Sequence, residues 1–192
     1  MTCIVAVMET GRIVVAGDSQ AGNTTRYSIM PRRDPKVFRL PAPTGGPTEL
    51  VIGYTSSYRM GQLLRFGFTP PPHPAAKDAF AYLAQYFADT ARTRFKEGGF
   101  AEVDRGVEKG GTFLVAYAGR IFGIFDNFQV AEFDLDYAAV GSGEELALGA
   151  LHALSDSKKS AEDRARAAIA AAAAFNAYVG GPITVEILET AT

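Results

Sequence analysis

The second residue of the chain carries a hydroxyl group that could act as a nucleophile. If Met1 is removed, Thr2 gains a terminal α-amino group, and such an amine can accept the proton of its own hydroxyl. An α-amino group titrates near pH ~7.7–8.0, so it is available as a base around neutral pH. Thr2 therefore predicts nucleophilic catalysis, provided that the fold brings partner side chains to it.

Two short apolar segments would position Thr2. Two apolar runs rich in β-branched side chains, in residues 2–7 and at the start of residues 12–20, flank the turn residues Glu9-Thr10-Gly11. This pattern predicts a β-hairpin that starts at residue 2. Asp18 ends the second strand of the hairpin, so we expect its carboxylate to lie close to Thr2.

Beyond the hairpin, the sequence alternates between groups of strands and pairs of helices. Residues 22–35 predict a loop or a distorted hairpin, and residues 98–111 predict a polar loop that contains glycines. We expect strands at residues 36–40, 49–55, 112–118, 120–125, 129–133, 137–140 and 183–188. We expect helices that begin at Ser56 and Ser57, span residues 75–97, end at Leu154, and span residues 160–178. This order predicts an α+β fold with two sheets between helix layers.

The helix expected at residues 75–97 carries large apolar side chains along one stripe. Phe80, Leu83, Phe87, Ala91 and Phe95 recur at close to helical spacing. We interpret the stripe as core packing rather than as a platform for a ligand.

Composition narrows the class of protein. A chain of 192 residues that is 47% hydrophobic predicts one compact domain over residues 1–192, and a net charge of −2 gives no basic surface for nucleic acid. A single cysteine, Cys3, is expected in the core, which fits a reducing compartment. No signal peptide and no apolar run of about 18 residues is present, so we expect a cytoplasmic protein without a membrane partner. No metal cluster, phosphate loop or cofactor motif is recognisable.

Five segments, taken together and in order, resemble the landmarks of proteasome β-type subunits, including the bacterial HslV-type peptidase. They run through nearly the whole chain. They are Thr2-x-Ile4-Val5-Ala6-Val7, Ala16-Gly17-Asp18-Ser19-Gln20-Ala21, Lys36-Val37-Phe38-Arg39-Leu40, Val140-Gly141-Ser142-Gly143 and Ala177-Tyr178-x-Gly180-Gly181. The resemblance implies the N-terminal nucleophile hydrolase fold, a four-layer αββα sandwich of two antiparallel sheets between helix layers.

The resemblance also implies threonine peptidase chemistry. Thr2 would attack the peptide carbonyl, and the positive charge of Lys36 would lower the proton affinity of the Thr2 hydroxyl. Asp18 would hold Lys36 protonated and oriented. Ser142 would lie near the terminal amine and help to relay the proton.

Further residues would bind the substrate. Backbone N–H groups near Ser56 and Ser57 would face the developing oxyanion, a type of interaction that is worth several kcal/mol. Side chains around the pocket next to Thr2 would shape substrate preference, namely Gln20, Ala21, Gly22, Ser56 and Tyr58.

Each assignment has a plainer alternative that the sequence leaves open. Thr2 is compatible with an ordinary strand residue, Asp18 with a turn cap, and Lys36 with a solvated lysine on an edge strand. Ser142 is also a good candidate for the N-cap of the following helix. The remaining histidines, His73 and His152, are expected to have surface or packing roles.

The chain departs from the family pattern at several positions. Ser56 and Ser57 replace the glycines that begin the helix in proteasome subunits, and Asn176 and Val179 replace an aspartate and a serine. HslV-type subunits also lack that aspartate.

Three functions therefore remain in view. The first is an endopeptidase subunit of a homo-oligomeric double ring, which degrades unfolded proteins or peptides supplied by an unfoldase ATPase. The second is a catalytically inactive ring or shell scaffold with the same fold. The third is an amidohydrolase that acts on a small amide outside a ring.

Overall fold

The structure is a computed structural model that describes residues 2–23, 25 and 28–190. The strands of these residues are β1 (Ile4–Glu9), β2 (Arg12–Gly17), β3 (Gln20–Asn23), β4 (Ser28–Pro31), β5 (Val37–Leu40), β6 (Leu50–Tyr54), β7 (Glu102–Asp104), β8 (Val107–Lys109), β9 (Phe113–Tyr117), β10 (Arg120–Ile124), β11 (Val130–Glu132), β12 (Tyr137–Val140) and β13 (Thr184–Glu189). The helices are α1 (Tyr58–Gly67), α2 (Ala79–Tyr82), α3 (Ala88–Glu97), α4 (Glu144–Ala153) and α5 (Ala161–Phe175), and a π-helical turn, Leu83–Phe87, joins α2 to α3.

Two antiparallel sheets form the centre of the fold. The predicted amino-terminal hairpin is confirmed: β1 pairs with β2, and the first sheet has the order β12-β1-β2-β13. The second sheet has the order β11-β10-β9-β6-β5. The segment predicted as a loop or a distorted hairpin forms the separate hairpin β3-β4.

The alternation of side chains along the strands builds three apolar layers. On β1, Ile4 and Ala6 face the second sheet, whereas Val5 and Val7 pack against the small residues of α4 and α5. The other face of the second sheet packs against α1 and the helical segment from Ala79 to Glu97. The expected α+β fold, with an αββα layer order, is therefore confirmed. None of the helices formed by the described residues combines the length and the apolar character that a membrane crossing requires.

The helix expected at residues 75–97 differs from the expectation in two ways. It begins at Ala79, because Asp78 caps it by accepting a hydrogen bond from the Ala81 N–H. Leu83, Phe87, Ala91 and Phe95 are buried, but they are spaced by four residues, which exceeds the α-helical repeat of 3.6. The π-helical turn absorbs this difference. Phe80 lies before the turn and is exposed, so its predicted place on the buried stripe was wrong.

Two other boundaries also differ. Residues 98–111 contain the hairpin β7-β8 rather than only a loop, and its turn residues Arg105 and Gly106 both have positive φ. Such a turn matches the twist of paired strands. The last helix ends at Phe175 rather than near residue 178, because the side chain of Asn176 already accepts a hydrogen bond from the Tyr178 N–H.

Candidate active site

A buried ion pair between Asp18 and Lys36 forms the centre of the site. Asp18 follows β2 directly, and Lys36 directly precedes β5 on the other sheet. The Lys36 Nζ lies 2.8 Å from Asp18 Oδ1 and 2.7 Å from the carbonyl oxygen of Gln20. Both charged side chains are at most 1% exposed, so Lys36 is not the solvated edge-strand lysine of the plainer alternative.

Backbone donors complete the environment of the Asp18 carboxylate. Oδ1 accepts from the Cys3 N–H at 3.0 Å, and Oδ2 accepts from the N–H groups of Gln20 and Gly180 at 3.1 and 3.2 Å. Asp18 thus caps its own turn and also binds Lys36. A buried charge needs such compensation, because the loss of one partner typically costs 3–5 kcal/mol.

Burial lowers the pKa of the Lys36 ammonium below its ordinary value, and the charge of Asp18 and its hydrogen bond partly offset this effect. Burial raises the pKa of the neighbouring Cys3 thiol to about 12, and the charge of Asp18 adds to this shift. Cys3 is therefore a neutral core residue, as expected.

Thr2 is held from the opposite side by the turn before α4. The Thr2 N–H donates to Ser142 Oγ at 3.1 Å, and the Thr2 carbonyl oxygen accepts from the Gly143 N–H at 3.2 Å. Gly143 rather than Ser142 is the N-cap of α4, so the Ser142 side chain is directed to Thr2 instead of capping the helix. Thr2 itself is only 4% exposed.

Gly141 allows this close approach. Its φ is +105°, and a Cβ atom at this position would lie 2.3 Å from the Thr2 carbonyl oxygen. Any larger residue would push the turn away from Thr2, so the glycine of the Val140-Gly141-Ser142-Gly143 segment has a steric role.

The two carboxy-terminal departures from the family pattern have different roles. The Asn176 Nδ2 donates to the Ser142 carbonyl oxygen at 2.6 Å and so supports the residue that binds the Thr2 nitrogen. Val179 is buried and packs against Gly143, so it contributes apolar contact where the family has a hydroxyl.

A cavity of about 120 Å³ opens beside Thr2. Its lining combines the predicted nucleophile and cation with the start of α1 and one residue of β3. The lining residues are Thr2, Gly22, Lys36, Tyr54, Thr55, Ser56, Ser57 and Tyr58. The structure thus brings together Thr2, Lys36, Gly22, Ser56 and Ser57, with Asp18 and Ser142 in direct contact with members of this group.

Gln20 and Ala21 are the predicted pocket residues that do not line the cavity, and the side chain of Gln20 lies elsewhere. The side chain of Gln20 is buried, and Nε2 donates to the carbonyl oxygen of Ala177 at 2.7 Å. Its backbone, however, belongs to the site, because the N–H binds Asp18 and the carbonyl oxygen binds Lys36. The reason is the turn after Asp18, which directs the Gln20 side chain toward residues 177–180 rather than toward Thr2.

The start of α1 forms an unusual turn. Ser56 has a φ of +66°, its Oγ accepts from the Thr112 N–H at 3.1 Å, and the Ser57 N–H donates to the Thr55 carbonyl oxygen at 2.8 Å. Ser57 also caps α1 as predicted, because its Oγ accepts from the Arg59 N–H.

Sequence reasoning did not identify every residue of this site. Tyr54 and Thr55 line the cavity, and their position directly before Ser56 was the available signal. The contact of Asn176 with Ser142 joins residues far apart in the sequence, and no local pattern indicates it. Within the described ranges, no group of three or more His, Cys, Asp or Glu side chains is placed to hold a metal ion.

The chain was compared with known proteins by sequence and by structure. No family model matches the chain. The ATP-dependent protease subunit HslV of Roseobacter denitrificans is 29% identical over 196 residues, which cover 98% of this chain and 94% of that protein. The structure of Thiobacillus denitrificans BPH in complex with epoxomicin has a TM-score of 0.79 at 23% identity and covers 99% of this chain and 100% of that one. Eukaryotic HslV from Trypanosoma brucei has a TM-score of 0.65 at 22% identity, with 97% and 99% covered.

The similarity in sequence and the similarity in structure agree with each other. The sequence similarity to HslV extends over nearly the whole chain, and the structural similarity to the two solved structures does so as well. The chain is therefore a homologue of HslV with the fold of the proteasome-type N-terminal nucleophile hydrolases.

Proposed function

We propose that the chain is a threonine-type endopeptidase subunit of a ring complex, with Thr2 as its N-terminal nucleophile after removal of Met1. The observation that carries the proposal is the buried Lys36–Asp18 pair beside Thr2, in a cavity that also holds the start of α1. The proposal covers one domain over residues 1–192.

In this mechanism the Thr2 Oγ adds to the carbonyl carbon of the peptide bond, and its proton passes to the Thr2 amine. The charge of Lys36 stabilises the developing alkoxide, and Asp18 keeps Lys36 in place. The carbon–nitrogen bond then breaks, the leaving amine takes the proton, and an ester to Thr2 remains. Water hydrolyses this ester to release the acid and restore Thr2.

Ser142 and Asn176 act on the amine side of Thr2. The Ser142 Oγ lies 3.1 Å from the Thr2 nitrogen, where it can pass a proton once that nitrogen is a terminal amine. Asn176 is a positioning residue, because it binds the Ser142 carbonyl oxygen and does not contact Thr2 in this role.

The oxyanion would be stabilised by backbone N–H groups of the turn at Ser56 and Ser57. The Ser57 N–H already donates to the Thr55 carbonyl oxygen, so we propose the N–H of Ser56 as the donor in this turn. One such donor is typically worth 10²–10³-fold in kcat.

Assembly and partners follow from the relatives and from the surface. The HslV of Roseobacter denitrificans is named as a subunit of an ATP-dependent protease. By analogy we propose a homo-oligomeric ring in the cytoplasm that receives unfolded protein or peptide substrates from a ring-shaped ATPase. Phe66 and Phe175 are 76% and 82% exposed, and we propose that these side chains contact other subunits.

The test is the intact mass of the purified protein before and after treatment with a peptide epoxyketone, together with peptide hydrolysis. We expect a mass without Met1 that gains one inhibitor per chain at Thr2. The matched control is Thr2→Ala, which should form the same assembly, take no inhibitor and hydrolyse no peptide. Peptide hydrolysis that is unchanged in Thr2→Ala would overturn the proposal.

The hydrogen bond from Ser57 to Thr55 also favours a second candidate, an inactive scaffold, because it leaves fewer donors for an oxyanion. A retained Met1 and no adduct in the same experiment would favour this scaffold. A reactive Thr2 in a monomer or a dimer would instead favour a small-amide hydrolase.

A further inference from the structure

Tyr58 has a buried hydroxyl for which the described residues provide no hydrogen-bond partner. It is the first residue of α1 and lines the same cavity as Thr2 and Lys36. Buried tyrosine hydroxyls usually find a partner, and an orphaned one calls for an explanation. A group that enters the cavity is a natural partner for this hydroxyl.

The ring of Tyr58 is held in place on both sides. The guanidinium carbon of Arg32 lies 3.9 Å from the ring centroid, and Arg32 is itself fixed by two 2.7 Å bonds to Asp34. The ring of Tyr54 packs edge-on against the ring of Tyr58, with 6.0 Å between the two ring centroids. Tyr58 therefore forms a fixed wall of the cavity rather than a mobile surface side chain.

The charges around this wall compensate each other. Lys36 is paired with Asp18, and Arg32 is paired with Asp34. Counted over the residues that the structure describes, the cavity therefore offers little net charge to attract an acidic or a basic side chain.

Hydroxyl groups dominate the remaining lining. The oxygens of Ser56 and Ser57 accept hydrogen bonds from backbone N–H groups, so their protons remain available for donation. At about 120 Å³ the cavity is smaller than the roughly 150 Å³ engineered cavity that accepts benzene in another protein. A large aromatic side chain is therefore a poor match in size.

We propose that Tyr58 determines substrate preference by donating a hydrogen bond to the side chain on the acyl side of the cleaved bond. The favoured side chains are small, neutral acceptors, namely threonine, serine and asparagine. This inference rests on the proposed peptidase function and names its substrate class.

The test compares the cleavage of peptides that differ only at that side chain, in pairs of equal shape: threonine against valine, and asparagine against leucine. The wild-type protein should prefer the acceptor of each pair by about tenfold in kcat/KM, as one hydrogen bond provides. Tyr58→Phe removes only the hydroxyl, so it should bring each pair close to parity while the epoxyketone still labels Thr2.

Tyr58→Ala tests the wall itself. It should enlarge the cavity and raise cleavage after leucine and phenylalanine by about tenfold relative to threonine. Tyr86→Ala is the matched control, because Tyr86 is a partly exposed tyrosine on the helical segment away from the cavity, and the preference should not change.

Three results would overturn the inference. The first is a wild-type preference for valine, leucine or phenylalanine, and the second is a threonine-to-valine ratio that Tyr58→Phe leaves unchanged. In both cases Thr2 labelling shows that the peptidase function itself stands. The third is the absence of both labelling and cleavage, which would remove the proposed function and this inference together.

Discussion

Lys36 carries its charge where solvent does not reach it, and this placement links its protonation to the proposed chemistry. Its ammonium has two oxygen acceptors, and its counter-ion Asp18 has three backbone donors besides. Burial nevertheless lowers the pKa of Lys36. The cation that supports Thr2 is therefore lost at a lower pH than an ordinary lysine would lose it.

The first prediction concerns the pH dependence of Thr2 reactivity. The rate of epoxyketone labelling should rise as the terminal amine becomes neutral, near pH ~7.7–8.0. It should fall again on the alkaline side at a pH below 10.5, the ordinary lysine value, because Lys36 then loses its proton. The measurement is the second-order labelling rate between pH 6 and pH 11.

Asp18→Asn tests whether the loss of the Lys36 proton causes the alkaline decrease in the labelling rate. Because the charge of Asp18 raises the pKa of Lys36, its removal should move the alkaline limb to a still lower pH. The assignment of the alkaline decrease to Lys36 would be contradicted by two results. One is a decrease in the labelling rate at or above pH 10.5 in the wild type, and the other is a shift of the decrease to higher pH in Asp18→Asn.

At the scale of residues, the sequence predicted which residues belong to the site better than it predicted where their side chains point. Thr2, Asp18, Lys36 and Ser142 follow from ordered local segments, and the structure brings them together. The side chain of Gln20 lies against Ala177, and that contact depends on a segment 157 residues away. Local patterns do not report such long-range contacts, which is also why the role of Asn176 was missed.

At the scale of elements, the turn before α1 is held by a side-chain hydrogen bond of a serine, where the family pattern has a flexible glycine. Ser56 adopts a left-handed conformation that costs about 1–2 kcal/mol for a residue with a Cβ. Its Oγ regains about 1 kcal/mol by accepting from the Thr112 N–H. The turn therefore depends on the serine side chain, whereas the glycine of the family pattern would adopt it without cost.

The second prediction follows from this balance. Ser56→Ala keeps the strain and loses the hydrogen bond, so it should lower the free energy of unfolding by about 1 kcal/mol. Ser56→Gly loses the same bond but relieves the strain, so its stability should stay within about 0.5 kcal/mol of the wild type. Denaturant unfolding of the three proteins measures the difference, and equal losses in both variants would show that the turn is not strained.

The elements themselves were largely predictable, and the exceptions have physical causes. The central strands could be located from the period-2 pattern of their side chains and from the turn residues between them. This works because alternate side chains of a strand face different layers of the fold. The π-helical turn at Leu83–Phe87 was not predictable from the 3.6-residue repeat, and it shifted Phe80 from the core to the surface. The hairpin β7-β8 has too few apolar side chains to resemble a strand pair in the sequence.

At the scale of the whole molecule, two phenylalanines at helix ends remain uncovered. Phe66 belongs to the last turn of α1, and Phe175 ends α5. Because α1 and α5 lie in the two outer layers, these side chains offer contacts on opposite sides of the sandwich. This arrangement suits a subunit with neighbours on more than one side.

The third prediction is that the protein forms a many-subunit particle in solution that depends on these contacts. Phe66→Ser and Phe175→Ser should each shift the mass distribution toward smaller species in light scattering coupled to gel filtration. Lys158→Ser, an exposed position between α4 and α5, should leave the distribution unchanged. A wild-type monomer, or particles unaffected by either phenylalanine variant, would contradict a ring.

The hydrogen bonds of Asp18 also set the order in which the molecule can become competent during synthesis. Its carboxylate binds Cys3 near the beginning of the chain and Gly180 near its end, a separation of 162 residues for the latter contact. A nascent chain on the ribosome therefore lacks this donor to the Asp18 carboxylate until residue 180 has emerged. The hydrogen bonds around the ion pair are thus completed at about the same stage as the first sheet, because β13 follows Gly180 in the sequence and pairs with β2.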